Sequence, residues 1–386
     1  MRLLKDGRPA PGRKLVWSIH GDYARGAKGE CVSAAEPVTL RFTPRGPGFT
    51  WLKVDCPLEA GRKIYARAGV MTDPETVRPG FAEPADFDAF WEEQKRAVRA
   101  GAIAPREVPL EVEEPYRGRF ELFDVTVATP GTKPVRAYLT RPAGEPGRKF
   151  PAMVTWHAAG VRSAMPQYRF AGMGLLVLDV NAHGIGNGGS HEEYVRLYRT
   201  TMKDYRFEGA DDREKIYFNG MYRRLIRALD YLKARPDWDG RTLIVYGGSQ
   251  GGAQALAAAG LDPAVTAVIA HEPAMCDHGA PLAGRTAGWP RFIRMKDGKP
   301  ADPAVARAVA YYDSAFFAAR IRRAECLVLT GFIDTTCVPS SVYAAFNSIP
   351  SASKRIVNFP QAIHGSYPEF DRVTDEFLAG LLRPGK

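Results

Sequence analysis

The chain has 386 residues, 45% of them hydrophobic and 25% charged, which suits a globular protein with room for one large domain and a small one. Its net charge of +10 comes from scattered Lys and Arg and no nucleic-acid motif accompanies it, so nucleic acid is not an expected partner. The surplus reads as a solvated basic surface, with attraction to anionic polymers or membranes the lesser reading.

The first residues, Met1-Arg2-Leu3-Leu4-Lys5-Asp6-Gly7, lack the apolar core of a signal peptide, and no stretch is apolar for long enough to span a membrane. The expected location is cytoplasmic, or secreted or periplasmic if a leader has been removed. The chain starts almost inside its first strand, which favours truncation. Residues 1–70 read as all-β. Leu15-Val16-Trp17-Ser18-Ile19, Val38-Thr39-Leu40-Arg41-Phe42 and Thr50-Trp51-Leu52-Lys53-Val54 alternate, Lys63-Ile64-Tyr65-Ala66-Arg67-Ala68 adds a strand, and Gly and Pro punctuate the gaps. That pattern predicts a small β-sandwich, expected to pack against the larger domain or shape its site rather than act as an independent binding module. Cys31 and Cys56 lie within it. Five cysteines cannot all pair internally, none forms a C-x-x-C zinc pattern, and whether these two bridge is open.

Residues 71–84 form a linker containing Pro and Gly. A helix follows at Pro84-Ala85-Asp86-Phe87-Asp88-Ala89-Phe90-Trp91, with Asp86 as its expected N-cap and Phe87, Phe90 and Trp91 on one docking face. From about Glu107 strands alternate with helices. Leu122 to Val127 and Val135 to Leu139 suggest an opening hairpin. Ala152 to Trp156, Leu175 to Asp179, Leu243 to Tyr246, Val265 to Ala270, Cys326 to Thr330 and Arg355 to Phe359 are short apolar runs, and Tyr217 to Ala234 has helical periodicity. Residues 85–386 are therefore expected to form one α/β domain, a doubly wound, mostly parallel sheet covered on both faces. The polar and aromatic stretch from about 184 to 214 is expected to be a lid or rim.

The most informative segment is Gly247-Gly248-Ser249-Gln250-Gly251-Gly252, between the apolar run ending at Tyr246 and the helix-forming Ala253 to Ala259. Strand, G-x-S-x-G, helix is the nucleophile elbow of the α/β-hydrolase fold, a tight turn that lifts the serine hydroxyl above the sheet. A serine hydroxyl needs a base, and the base needs an orienting acid, which follow in the order Ser, Asp or Glu, His. Three histidines follow Ser249: His271, His278 and His364. His364 lies in a loop after the last core strand and is the expected base. Asp334 ends Gly331-Phe332-Ile333-Asp334, just past the preceding strand, and is the expected acid, whereas Asp371 and Asp375 come too late. The expected oxyanion donors are the backbone N–H groups of Gln250 and Ala159. His157, beside Ala159, is expected to brace that loop.

Arg241 to Leu261 resembles the acetyl xylan esterase and cephalosporin C deacetylase family, carbohydrate esterase family seven. Pro84 to Trp91 looks like that family's opening helix. Pro273-Ala274-Met275-Cys276-Asp277 is similar to its Pro-Phe-Leu-Cys segment. Gly331 to Ser340, with Ala344-Ala345-Phe346-Asn347, looks like its acid-bearing stretch. The similarity covers about residues 80–380. It implies deacetylation of acetylated xylo-oligosaccharides and other small acetyl esters, and places the triad on Ser249, Asp334 and His364. Three departures stand out: Asn181-Ala182-His183-Gly184 replaces Arg-Gly-Gln-Gly, Ala159 replaces a tyrosine, and the N-terminal β region is extra. A homo-oligomer like the family's ring is left open by them.

The leading expectation is thus a serine esterase that removes acetyl groups from carbohydrate, with no cofactor or metal implied and acetylated carbohydrate as its partner. The alternatives are a hydrolase of other esters or peptides on the same fold, and a catalytically silent carbohydrate-binding protein. His183, His157 and Trp156 are candidate substrate contacts, with a structural role in place of the family's glutamine the favoured reading of His183. Tyr194, Tyr198 and Tyr205, with Trp156, are candidates to stack on sugar rings, aromatic packing being the competing role.

Overall fold

Apolar strands that are buried on both faces need cover on both sides, and this chain supplies it. The computed structural model describes residues 1–23, 26–144 and 147–383. Its main sheet has nine strands, in the spatial order Lys354–Phe359, Glu325–Gly331, Ala267–His271, Trp238–Gly248, Phe150–Trp156, Leu176–Val180, Val135–Pro142, Phe120–Val127 and Pro105–Leu110. The first six in that order run parallel to their neighbours, and the last three attach as an antiparallel edge. This is the α/β-hydrolase architecture. The edge strand Pro105–Leu110 extends the sheet beyond the hairpin that the alternation suggests.

Alternation along the central strands divides the core in two. Ala152, Val154, Leu243, Val245, Val268 and Val328 face helices Tyr217–Lys233 and Gln250–Leu261, while Met153, Ile244, Ile269 and Leu327 face helix Pro368–Leu381. A fully buried Val, Leu or Ile contributes roughly 1.5–3 kcal/mol, so these strands contribute strongly to stability. Helix Phe87–Arg99 joins the first layer through Phe87, Phe90, Trp91 and Val98, spaced to share one face. Asp86 does not cap it: its carboxylate accepts from Arg213 at 2.6 Å and from the Tyr311 hydroxyl, partners from distant segments that outcompete the local amides.

The N-terminal strands expected as a sandwich form small sheets instead. Lys28–Val32, Lys14–Gly21, Gly48–Pro57 and Lys63–Thr72 make one antiparallel sheet, and Leu4–Lys5 pairs with Arg8–Pro9. Val38 to Phe42 alternates like a strand but is assigned to none; Val38 N–H donates to Met1 O at 2.7 Å. Cys31 and Cys56 are both free thiols. This sheet docks directly on the hydrolase domain. Gly69 N–H donates to Pro360 O at 2.8 Å, Thr286 N–H donates to Asp22 Oδ1 at 2.7 Å, and a Cβ at Gly69 would lie 2.4 Å from Phe332 O. The stretch 71–84 is strapped down as well. Asn347 Nδ2 donates to Pro74 O at 2.7 Å and to Val77 O at 3.0 Å, and Gly80 N–H donates to Asp277 Oδ1 at 2.7 Å. Among the described residues no helix is long and apolar enough to cross a membrane.

Candidate active site

Ser249 stands between strand Trp238–Gly248 and helix Gln250–Leu261 with φ 56° and ψ −120°. A non-glycine residue held there costs roughly 1–3 kcal/mol, which the surrounding packing must offset. The turn closes so tightly that a Cβ at Gly247 would lie 2.3 Å from Gly251 O, and one at Gly251 would lie 2.1 Å from Trp156 O. Only glycine fits at either position, which explains the glycines of the motif physically. The bend is pinned by Ser249 N–H donating to His271 O at 2.8 Å.

His364 and Asp334 converge on this serine from separate loops. Ser249 Oγ lies 3.0 Å from His364 Nε2, and His364 Nδ1 lies 2.7 Å from Asp334 Oδ2. Asp334 is fully buried, and its Oδ1 accepts from the backbone N–H groups of Thr336 at 2.7 Å and Cys337 at 2.9 Å. Those donors fix the carboxylate, so Nδ1 carries the imidazole proton and Nε2 is free to accept from Ser249. Burial alone would lower the His364 pKa, but the hydrogen bond and charge of Asp334, with the charge of Glu272, outweigh it and leave the pKa raised. The other two histidines after the elbow lie elsewhere. His271 Nε2 bonds Thr374 Oγ1 at 2.8 Å and His278 packs edge-on against Phe292; burial lowers their pKa values to about 4 and about 3. Asp371 and Asp375 pair with Arg169.

On the side of the expected oxyanion donors, backbone and an aromatic brace hold the chain. Gln250 begins the elbow helix, so its N–H is among the four that lack an intrahelical acceptor, at the positive end of the helix. The loop after strand Phe150–Trp156 carries Ala159. His157 Nδ1–H donates to Ala158 O at 2.7 Å, and its Nε2 accepts from Ala182 N–H at 3.3 Å. Burial keeps it neutral, with a pKa of about 4. His183 is fully buried rather than open to substrate. Its Nε2–H donates to Gly160 O at 3.1 Å and its Nδ1 accepts from Tyr217 Oη at 2.8 Å; burial lowers its pKa to about 3. Of the two roles expected for His183, substrate contact and structural support, the contacts fit the structural one: the side chain reaches the back of the loop and does not line the cavity beside Ser249.

A cavity of about 490 Å³ opens beside Ser249 and His364, bounded by Trp156, His157, Arg162, Gln167 and Tyr246 among others. Its size is within the range for small-molecule sites. Trp156 and His157 border it, but the Trp156 side chain is almost wholly buried. The stretch 184–214 contains helix His191–Arg199, opened by a Ser190–Glu193 capping box, and does not line this cavity. It instead sends Tyr205 inward. The buried Tyr205 hydroxyl donates to Gln250 Oε1 at 2.6 Å, and its ring meets His183 edge-on at 4.8 Å. Tyr194 is buried with its hydroxyl on Gly186 O at 2.8 Å, leaving only Tyr198 of the stacking candidates exposed.

Sequence reasoning missed the Tyr205–Gln250 bond and a second carboxyl, Glu272, whose Oε2 lies 3.3 Å from His364 Nδ1. Neither has a local motif; both depend on which loops the strand order brings together. It also missed the purpose of the stretch Asp179 to Gly184, which contains the Asn181-to-Gly184 departure. Asp179 binds Thr155 Oγ1 and accepts from Met165 N–H at 2.7 Å, and Asn181 Nδ2 donates to Arg162 O at 2.9 Å, so this stretch ties down the loop from 157 to 167. Asp334, Cys337 and His364 place potential metal-ligand atoms within 4.8 Å of one another. The first and last are committed to each other, however, and burial holds the Cys337 thiol protonated, with its pKa well above the ordinary value. The set suits proton transfer better than metal binding.

Comparison with known proteins agrees in fold and in family. The profile of the acetyl xylan esterase (AXE1) family matches residues 71–380. The acetyl esterase Axe7A of Xylanibacter ruminicola is 32% identical over 327 residues, covering 82% of this chain and 70% of that protein. Two solved structures share the fold: an acetyl xylan esterase from Paenibacillus sp. R4 (24% identity, TM-score 0.66) and acetyl xylan esterase 1 from Thermoanaerobacterium sp. JW/SL YS485 (21% identity, TM-score 0.67). Each alignment covers 80% of this chain and 98% of the other. On the strength of the profile match and the 32% identity, this chain belongs to the acetyl xylan esterase family.

Proposed function

We propose that this carboxylic-ester hydrolase removes acetyl groups from acetylated xylan or xylo-oligosaccharides through an acetyl-enzyme on Ser249. The observation that carries the reading is the continuous hydrogen-bonded path from Ser249 Oγ to His364, 3.0 Å, and from His364 to Asp334, 2.7 Å, at a strained elbow. In the first half-reaction His364 Nε2 takes the hydroxyl proton as Oγ attacks the acetyl carbonyl, and then gives that proton to the departing sugar oxygen. In the second, water delivers a proton to Nε2 and attacks the acetyl-enzyme, and Ser249 leaves with the proton as acetate is released. Gln250 N–H and Ala159 N–H receive the oxyanion in both steps; one such donor typically contributes roughly 3–4 kcal/mol.

The sugar side of the substrate rests on the family and on the acetyl esterase named among its relatives. The test is acetate release from acetylated xylo-oligosaccharides by wild type and by Ser249→Ala. Release that vanishes in the variant supports the whole reading. Turnover of a simple acetyl ester alone, again dependent on Ser249, would keep the mechanism and remove xylan.

A further inference from the structure

Residues just past the ends of two neighbouring strands bring carboxyl groups to one imidazole. Strand Ala267–His271 lies parallel to Glu325–Gly331 in the main sheet. Asp334 follows the second of these, and Glu272 follows the first immediately. Glu272 is buried, and its Oε2 lies 3.3 Å from His364 Nδ1, the atom that also faces Asp334 Oδ2 at 2.7 Å. The same Oε2 accepts from Gly365 N–H at 3.0 Å, one residue past the histidine. Its other oxygen, Oε1, is buried with no hydrogen-bond partner.

Burying a carboxyl with an unpartnered oxygen is costly, because the lost hydration is not replaced. Two further features hold it there. The Glu272 backbone has φ 41°, a left-handed conformation rare for a non-glycine residue. Gly331 leaves the space: a Cβ there would lie 2.9 Å from Glu272 Oε1 and 2.6 Å from Ala362 O. A carboxyl serving only to hold Gly365 N–H would not need to face Nδ1 as well.

We propose that Glu272 is a second orienting carboxyl for His364, sharing the Nδ1–H with Asp334 and able to hold the imidazole when Asp334 is removed. This rests on the triad reading above. Glu272 is a positioning residue: it acts through His364 and not on the reacting atoms. The proton from Ser249 still goes to Nε2, and the Nδ1 proton stays on the ring, drawn toward two acceptors instead of one. Burial first, and then the Asp334 charge, raise the Glu272 pKa to about 8, so the two carboxyls do not both carry full charge at neutral pH. Neutralising Asp334 removes one of those causes, and Glu272 then ionises more readily beside the imidazole. The groups that face this pair are Asp334, His364 and the buried Cys337 thiol, which stays neutral.

The experiment compares acetyl-ester turnover and pH profiles of wild type, Asp334→Ala, Glu272→Gln, the double variant and Ser249→Ala. Losing the acid of a triad alone typically costs about 3 × 10⁴ in kcat. With Glu272 in reserve, Asp334→Ala is expected to lose only about a hundredfold, and the double variant to lose the remainder. Glu272→Gln alone is expected to lower kcat more than it changes KM; the acidic limb of kcat/KM is expected to move to lower pH when Glu272 is replaced in the Asp334→Ala background, where Glu272 ionises more readily and favours the imidazolium. Equal rates and equal pH profiles for Asp334→Ala and the double variant, with a Glu272→Gln kcat matching wild type, would overturn the assignment. Should Glu272→Gln fail to fold, Glu272→Asp serves in both backgrounds: its shorter carboxyl withdraws from Nδ1, and the same equality overturns the proposal. Turnover that survives in Ser249→Ala refutes the triad itself, whereas loss there combined with equal rates removes only Glu272.

Discussion

The two sides of Ser249 are built by opposite means. On the elbow side, backbone does the positioning: a left-handed serine, glycines that admit no Cβ, and amides at a helix start. On the other side, side chains do it: His364, Asp334 and Glu272 come from three loops and meet only because their strands lie adjacent. Backbone positioning is compact in sequence and tolerates little change. Side-chain positioning is dispersed and leaves room for a second carboxyl.

The sharpest way to break this contrast is to remove the atom both sides serve. Ser249→Ala is expected to lower kcat by about a million-fold, and His364→Ala by a similar factor, because members of a triad act as one unit. Stopped assays with a simple acetyl ester will measure this. A drop at Ser249 with little change at His364 would mean that the side-chain wall is not catalytic.

Tyr205→Phe probes the elbow side more gently. It leaves Gln250 Oε1 buried without a donor, beside an Nε2 that already lacks an acceptor. An unmade buried bond typically costs about 1–3 kcal/mol. The expected result is a kcat lowered by about tenfold with KM little changed, since Gln250 N–H is a proposed transition-state donor. A loss of thermal stability with unchanged kcat would show that the brace serves folding alone.

Gly69→Val tests whether the N-terminal sheet supports the side-chain wall. The new Cβ would meet Phe332 O at 2.4 Å, two residues from Asp334. Overpacking of this kind costs roughly 1–3 kcal/mol. The variant is expected to melt several degrees lower and to lose a few-fold in kcat; an unchanged kcat would confine the sheet to stability.

The smallest expected effect is a displacement in pH. In the proposed mechanism His364 must be neutral to accept the serine proton, and the hydrogen bond and charge of Asp334 outweigh burial and raise its pKa above the ordinary 6.5. Activity should therefore fall on acidification with a midpoint above 6.5, as the imidazolium forms. A kcat/KM profile whose acidic limb lies below that value would contradict the proposed environment of His364.

The same contrast explains what could be read from the chain. Gly247 to Gly252 is legible because its constraint is local: strand, sharp turn and helix occupy consecutive residues. Asp334 and His364 are legible through strand order and family resemblance. Glu272 is not, since one residue after an apolar run says nothing of which loop lies opposite. Asp86 has the composition of an N-cap but spends its carboxylate on Arg213 and Tyr311, and no local pattern reveals partners more than 120 residues away. Val38 to Phe42 has strand periodicity and lacks a strand to pair with. His183 follows a sheet strand at the active edge, as a substrate contact would, yet its ring turns inward to Gly160 and Tyr217.

The most direct measurement is labelling with a fluorophosphonate, followed by peptide mapping of the modified residue. The proposed triad predicts a single stable adduct on Ser249 in wild type, with labelling strongly slowed in His364→Ala. An active enzyme that takes no label at Ser249, or labels there equally fast without His364, would contradict it.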